Sequence, residues 1–284
     1  MVAASLLFAC MGVCVKLGSA QFSAAELVFG RGAIALLLIY AYVRAAGLSL
    51  GTPHWRTHLV RGLSGSVSLV MYFYAISMIP LATAVTLNYT SPLFLALLLA
   101  FWLGERIRPW LIVAMIGGFV GVILLLRPSW NDGQLAGGLF GLASGVIASV
   151  AYLNVRKLGE LGEPEWRTVF YFSLIAAVGG LPWVLVSSWA GPALHAINAR
   201  GWLLLLGVGG FGALAQLCMT RAYTHGKTMV SASLAYSTVV FSSLFGMWLW
   251  GETLPMTALL GMALILASGI FATALSRAAP VEQD

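Results

Sequence analysis

Charged residues are scarce in this sequence: Asp, Glu, Lys and Arg make up 8% of its 284 residues. Soluble domains carry about 25% charged residues and need them to cover their surface. Hydrophobic residues reach 60% and recur in runs of about twenty, the length that crosses a hydrocarbon layer of about 30 Å. The composition therefore predicts a polytopic, all-α membrane protein and excludes a soluble enzyme and a nucleic-acid-binding module.

Cysteine is also rare, with three residues at Cys10, Cys14 and Cys218, all inside apolar runs. An odd number at these places supplies neither a disulfide framework nor a paired metal motif. His54 and His58 have the i,i+4 spacing of metal ligands on a helix, but we assign them to the basic belt at a membrane surface. We therefore expect no metal and no cofactor.

Carboxylates are missing from the middle of every apolar run. All nine Asp and Glu residues lie near the ends of the runs or between them. Ionisable residues inside the membrane form the proton relays of pumps and transporters. Their absence favours a substrate that moves down its own gradient over tight proton coupling.

Ten apolar spans fill most of the chain, and the connections between them are too short for a soluble domain. By hydropathy the spans are 1–17, 24–44, 58–79, 82–103, 109–126, 135–155, 166–188, 201–222, 228–250 and 255–276. The first span ends in Gly18-Ser19-Ala20, which is similar to a signal-peptide cleavage site. No positively charged segment precedes the span, so we interpret it as the first helix.

The distribution of Lys and Arg predicts that both termini are cytoplasmic. With the N-terminus inside, only four of the fifteen basic residues fall on the outer side: Lys16, Arg31, Arg127 and Arg200. The other eleven fall on the inner side, as the positive-inside rule requires.

The two halves of the sequence resemble each other. Lys16-Leu17-Gly18 recurs 141 residues later as Lys157-Leu158-Gly159. Further matches recur at an offset of 147, pairing Ala75, Leu87, Tyr89, Phe94, Leu97, Gly104 and Glu105 with Ala222, Leu234, Tyr236, Phe241, Leu244, Gly251 and Glu252. We predict a first five-helix repeat at 1–127, a second at 135–276, and a short cytoplasmic tail at 277–284.

Five helices per repeat is an odd number, so the second repeat must enter the membrane in the opposite orientation. Inverted repeats are typical of secondary transporters, because two similar halves can pack in two near-equivalent ways around a central site. Gene duplication also builds channels and membrane enzymes, which remain alternatives at this point.

The Gly-Glu pairs at Gly104-Glu105 and Gly251-Glu252 end the fourth and ninth spans. In this respect the chain resembles the EamA-type drug/metabolite transporters, and the resemblance covers all ten spans. It implies a fold of five plus five helices in a bacterial inner membrane, with both termini on the cytoplasmic side. It also implies a central cavity between helices three, four, eight and nine. It also implies export of small metabolites, such as aromatic amino acids, and a structural role for Glu105 and Glu252.

Pro92 lies mid-span in Asn88-Tyr89-Thr90-Ser91-Pro92. A proline there removes a backbone hydrogen bond and clashes with the carbonyl of Asn88, so it predicts a kink with free polar groups. Irregular backbone at this depth is tolerated only where it faces protein or water. We interpret Pro92 as a hinge beside a cavity, with a static packing kink as the alternative.

Several polar and aromatic residues lie at similar depth and form the predicted substrate site: Tyr72, Asn88, Tyr89, Ser91, Gln216 and Tyr236. Polar side chains inside a membrane either line a cavity or hold helices together, and both interpretations stay open for each residue.

Arg31 is the one charge that the sequence places well inside a span. It is either an anchor for a substrate carboxylate or a side chain that reaches back to the outer interface. The symmetry is broken here, because the repeat pairs Arg31 with Phe172.

The sequence thus predicts a secondary transporter that exports small metabolites, most consistent with neutral or aromatic amino acids, by alternating access. Its partners would be a small-molecule substrate and the lipid bilayer. A multidrug or other metabolite carrier is one alternative. A membrane enzyme or a scaffold without transport activity is the other.

Overall fold

The computed structural model describes residues 1–105, 107–128, 135–190, 198–251 and 253–278. These residues form helices and connections without a β-strand. The helices are α1 (Val2–Gly18), α2 (Ala24–Ala45), α3 (Trp55–Met78), α4 (Leu81–Asn88), α5 (Ser91–Trp102), α6 (Pro109–Leu126), α7 (Leu135–Glu160), α8 (Glu165–Ala190), α9 (Ala199–His225), α10 (Thr228–Ala235), α11 (Ser237–Trp250) and α12 (Met256–Ala278).

Seven helical stretches within the described residues are long and apolar enough to cross a membrane, and α1 is a shorter apolar helix. Two of the seven, Thr83–Trp102 and Thr228–Trp250, each contain two consecutive helices, α4 with α5 and α10 with α11. The chain is therefore an all-helical, multi-pass membrane protein.

The chain forms two compact units, each assembled from separate stretches of sequence. Unit 1 comprises Met1–Val2, Val67–Leu153 and Gly226–Asp284, and it contains α4–α6 and α10–α12. Unit 2 comprises Ala3–Ser66 and Asn154–His225, and it contains α2, α8 and α9.

Within unit 1, α6 and α12 pack with their backbones almost in contact. A Cβ added at Gly121 would lie 2.8 Å from the carbonyl oxygen of Gly261, so neither position has room for a side chain. The neighbouring apolar cluster contains Val122, Tyr236 and Ile265, all fully buried. Small residues permit this close approach of two helices.

Within unit 2, α2 packs against α8 and α9. Gly32 on α2 faces the backbone of Ala177, where an added Cβ would lie 3.1 Å from the amide nitrogen. Gly209 on α9 faces the side chain of Ile34, where an added Cβ would lie 2.4 Å from the Ile34 Cβ. Gly209 and Gly212 thus let α9 pack closely against α2.

Candidate functional site

The helical path of the fourth span is interrupted beside Tyr89. Helix α4 ends at Asn88 and α5 begins at Ser91, and the Thr90 hydroxyl donates to the Leu87 carbonyl oxygen over 2.5 Å. Pro92 lies in the first turn of α5, where no helical partner is needed for the missing N–H. The kink predicted from Pro92 is therefore a break between two helices, placed just before the proline.

A second, milder break in the regular helix occurs 147 residues later at Tyr236, whose backbone keeps right-handed helical angles (φ -59°, ψ -23°). Helix α10 ends at Ala235 and α11 begins at Ser237, so Tyr236 joins them. The sequence has Val239 where the first half has Pro92. This break forms without a proline, so proline is not a requirement for interrupting the helix at this place.

The tyrosines at the two breaks are neighbours in unit 1. Their ring centroids lie 6.1 Å apart, and the ring centroid of Phe119 on α6 lies 6.4 Å from that of Tyr236. Tyr236 is fully buried, and its hydroxyl has no hydrogen-bond partner among the described residues. A buried phenol usually finds a partner, so this hydroxyl is an unused polar group in an apolar setting.

Tyr89 is half-buried and has polar neighbours. Its side chain shares a hydrogen bond with that of Thr238. The phenol of Tyr72 on α3 is also close enough to interact with it electrostatically. Three of the predicted site residues, Tyr72, Tyr89 and Tyr236, thus form one cluster, which we call the tyrosine cluster.

Asn88 joins α4 to α7. Its Nδ2 donates to Ser144 Oγ over 3.0 Å, and the Ser68 hydroxyl donates to the Ser144 carbonyl oxygen over 2.8 Å. Gly145 allows the close approach, because an added Cβ would lie 2.5 Å from Thr90 Oγ1. Asn88 therefore holds two helices together beside the break, and Ser91 is buried at the start of α5.

Two predicted site residues lie in unit 2 instead. Gln216 is buried on α9. Arg31 is half-buried on α2, and the backbone of α9 passes near it, because a Cβ added at Gly212 would lie 3.3 Å from Arg31 Nε. The described contacts thus bring Tyr72, Tyr89 and Tyr236 together within unit 1, and Gln216 and Arg31 belong to unit 2.

The Gly-Glu ends have the conformation of helix caps. Gly104 and Gly251 both have left-handed backbone angles, with φ of 67° and 63°. Only glycine adopts this conformation without strain, and it ends a helix sharply. The Glu105 amide donates to the Leu99 carbonyl oxygen over 3.1 Å, whereas Glu252 lies outside the described residues.

A buried carboxylate in unit 2 was not predicted from the sequence. Glu163, in the connection between α7 and α8, has a side chain that is 3% exposed. Its oxygens accept hydrogen bonds from the Thr52 hydroxyl and from Arg167 Nη1, the latter over 2.8 Å. Nitrogens of two histidines lie nearby, His54 Nδ1 at 3.0 Å and His58 Nε2 at 3.4 Å.

The same cluster fixes the connection between α2 and α3. Arg167 Nη2 donates to the Ser49 carbonyl oxygen over 2.8 Å, and the Tyr171 hydroxyl donates to that of Leu50 over 2.9 Å. Burial on its own would raise the pKa of the Glu163 carboxyl, but its polar and charged neighbours outweigh burial and lower this pKa from 4.5 to about 2. The carboxylate is therefore charged at neutral pH and binds two connections to each other.

His54 and His58 are thus partners of a carboxylate. Within the described ranges, no group of three His, Cys, Asp or Glu side chains could hold a metal ion. The pairing needs Glu163, more than one hundred residues further along the chain. In the sequence, only the i,i+4 spacing of His54 and His58 before an apolar run could have indicated that these two side chains share a partner.

Comparison with known protein families decides the class. The sequence model of the EamA-like transporter family matches residues 1–127 and again residues 135–274. The chain belongs to the EamA-like transporter family. Its two matching stretches together account for nearly all of the 284 residues.

Two relatives of this EamA-like transporter are named as transporters of metabolites. It is 36% identical over 279 residues to the pseudopaline exporter CntI of Pseudomonas aeruginosa, covering 97% of this chain and 94% of the relative. It is 27% identical over 278 residues to a riboflavin transporter of Vibrio cholerae, covering 96% and 91%. The transporter is therefore a metabolite carrier by family.

A solved structure has the same fold as this EamA-like transporter. The TM-score is 0.83 at 23% identity, and the match covers 97% of both chains. At this identity the likeness concerns the fold alone.

Proposed function

We propose that this protein exports a small metabolite across a bacterial inner membrane by alternating access. Ten spans would form two inverted five-helix repeats with both termini in the cytoplasm. Two observations support the architecture: one family model matches both halves, and a helix break recurs at the same repeat position in each half. Inverted repeats with interrupted helices are typical of secondary transporters.

The observation that carries the proposal is the meeting of the two breaks at the tyrosine cluster. Interrupted helices supply backbone polar groups at a depth where lipid supplies none. The buried Tyr236 hydroxyl has no partner among the described residues, so a polar group of a substrate would complete its hydrogen bonding. The rings of Tyr72 and Tyr89 would contact an apolar or aromatic part of the same molecule.

Other predicted residues have distinct proposed roles. Ser91 and Asn88 would set the position of the tyrosine cluster or bind substrate directly, and Pro92 would act as a hinge at the start of α5. Gln216 and Arg31 lie in unit 2, and substitution of each tests its effect on transport independently of the cluster.

For the substrate we propose a neutral or aromatic amino acid, or a metabolite that carries an amino-acid group. The amino-acid class rests on the resemblance of the sequence to exporters in this family, and the aromatic surface of the cluster supports it. The relatives are named for different molecules, pseudopaline and riboflavin. A carrier for another metabolite or a drug is therefore the second candidate.

Transport into liposomes tests the proposal directly. Purified protein is reconstituted, and uptake of labelled phenylalanine, tryptophan and leucine is followed without a proton gradient. Saturable uptake that unlabelled substrate competes away is the expected result, and it would exclude a scaffold without transport activity.

Two other results would change the proposal. Transport that needs an imposed proton gradient would overturn the expectation that the substrate moves down its own gradient, which rests on the absence of carboxylates in mid-span. No uptake with or without the gradient would overturn the amino-acid class, and a panel containing riboflavin and other metabolites would then be assayed.

A further inference from the structure

A groove in unit 2 runs between α2, α8 and α9 and has a volume of about 630 Å³. Most of its lining is apolar, and it includes Leu38, Leu214 and Leu217. Gly210 and Ala213 on α9 leave the space open because they carry little or no side chain. We call this feature the α2–α9 groove.

The apolar part of the α2–α9 groove is open to the surroundings of the protein. Leu38 is 47% exposed and Leu214 is 52% exposed. In a membrane protein, exposed leucines along the middle of a helix contact lipid tails. The groove is therefore shaped and lined for a hydrocarbon chain.

One end of the groove is polar, and three helix ends meet there. Arg221 lies near the end of α9, Trp166 in the first turn of α8 and Tyr42 near the end of α2. Tryptophan and tyrosine concentrate at headgroup depth. The polar end thus lies at a membrane surface, the cytoplasmic one by the distribution of Lys and Arg.

This polar end carries both signs of charge. Arg221 is exposed and forms no ion pair with a carboxylate in the described part of the chain. Glu165 lines the same end and lies 3.5 Å from His225 Nδ1. A purely anionic headgroup would meet the Glu165 carboxylate, whereas a headgroup with a phosphate and an ammonium matches both charges.

We infer that the α2–α9 groove binds phosphatidylethanolamine. The acyl chain lies along Leu38, Leu214 and Leu217, the phosphate contacts Arg221, and the ammonium contacts Glu165. Basic sites between membrane helices at the cytoplasmic side bind lipid headgroups by the same electrostatics. The inference concerns lipid binding and does not depend on which metabolite is transported.

Quenching of Trp166 by brominated lipid tests the inference. Full-length protein in dodecyl maltoside is titrated with phosphatidylethanolamine or phosphatidylglycerol that carries bromine on one acyl chain. The Trp166→Phe variant is titrated in parallel, and the difference isolates the groove tryptophan from the other nine. We expect saturable quenching of Trp166 at a lower concentration of phosphatidylethanolamine than of phosphatidylglycerol.

Two variants separate the headgroup contacts. Arg221→Gln should raise the half-saturating concentration of both lipids about fivefold, because one cation near a phosphate contributes about 1 kcal/mol. Glu165→Gln should remove the preference for phosphatidylethanolamine and leave binding of phosphatidylglycerol equal or stronger. Arg56→Gln is the matched control, since Arg56 is exposed at the start of α3 and does not line the groove.

Three results would overturn the inference. They are equal half-saturation for the two lipids in the wild type, the same binding by Arg221→Gln as by Arg56→Gln, and no difference in quenching between wild type and Trp166→Phe. Thermal unfolding of each variant is measured as well, and we expect melting temperatures close to that of the wild type.

Discussion

The rings of Tyr89 and Tyr236 lie 6.1 Å apart, and each residue stands at the break between two consecutive helices. The two residues are 147 positions apart and equivalent in the internal repeat. Their environments nevertheless differ: Tyr236 is fully buried and its hydroxyl has no partner in the described ranges, while Tyr89 is half-buried and hydrogen-bonded to Thr238. The repeat therefore supplies two similar positions with different chemistry.

Tyr236→Phe removes the hydroxyl and keeps the ring, so it tests the contribution of the hydroxyl alone. Because the hydroxyl has no partner among the described residues, its removal should leave the melting temperature in detergent unchanged or slightly higher. If substrate bonds to it, KM for transport should rise about fivefold, the value of one neutral hydrogen bond. Tyr236→Ala is the contrast and should destabilise the protein by about 3 kcal/mol through the cavity it leaves. Unchanged KM in Tyr236→Phe would remove the hydroxyl from the site.

Pro92→Ala tests the hinge. The equivalent break at Tyr236 forms without a proline, so the variant should keep its fold and its melting temperature. Transport should be slower, with kcat and KM changing together, as is common for hinge residues. Pro109→Ala is the control, because Pro109 also lies in the first turn of its helix but outside the tyrosine cluster. Equal transport by the two variants would count against a hinge at Pro92.

Gly145→Ala tests the packing of α7 beside the break. The new Cβ would lie 2.5 Å from Thr90 Oγ1 and 2.8 Å from the Leu87 carbonyl oxygen, so a backbone must move. We expect a loss of about 2 kcal/mol in stability, measured by thermal unfolding in detergent. Gly12→Ala is the matched control within a helix, since an added Cβ there has no neighbour within 4 Å. A loss of the same size in both variants would show that helix propensity, and not contact, is being measured.

Glu163→Gln tests the buried carboxylate. The amide carries no negative charge to pair with Arg167, and its NH2 group cannot accept a hydrogen bond, so we expect a loss of about 3 kcal/mol at neutral pH. The pKa of Glu163 is depressed in the fold, from 4.5 to about 2, so its contribution is present above about pH 4.5 and is lost as the pH falls towards 2. The difference in melting temperature between wild type and variant should shrink over that range.

Glu160→Gln is the control for this carboxylate. Glu160 pairs with Arg156 four residues earlier, but its side chain is 57% exposed. Exposed pairs of this kind contribute less than about 0.5 kcal/mol. Equal effects of the two substitutions would show that Glu163 gains nothing from its burial and its four partners.

Periodic and local features of this protein could be predicted from the sequence. The apolar runs fix the membrane class, the Gly-Glu pairs mark helix ends, and the repeat links Tyr89 to Tyr236. The fourth and ninth spans were predicted as continuous helices, with a kink only at Pro92. The break at Tyr236 has no local sequence marker, because Val239 is compatible with a helix.

The Glu163 cluster could not be predicted, for a different reason. Thr52 and Glu163 are 111 positions apart, and nothing in either segment identifies the other. Loop carboxylates are ordinarily solvated, so Glu163 was not distinguishable from the other acidic residues. Only tertiary packing brings the α7–α8 connection against Thr52, His54 and His58 and so buries Glu163.

The interleaved composition of unit 2 has a consequence for synthesis. Helix α2 ends at Ala45, but its packing partner α8 begins at Glu165, 120 residues later. At a translation rate of about 5–20 residues per second, roughly 6–24 s pass between the synthesis of α2 and the start of α8. During that interval Gly32 lacks its partner Ala177. The unfinished chain therefore lacks a packing contact that the finished transporter has.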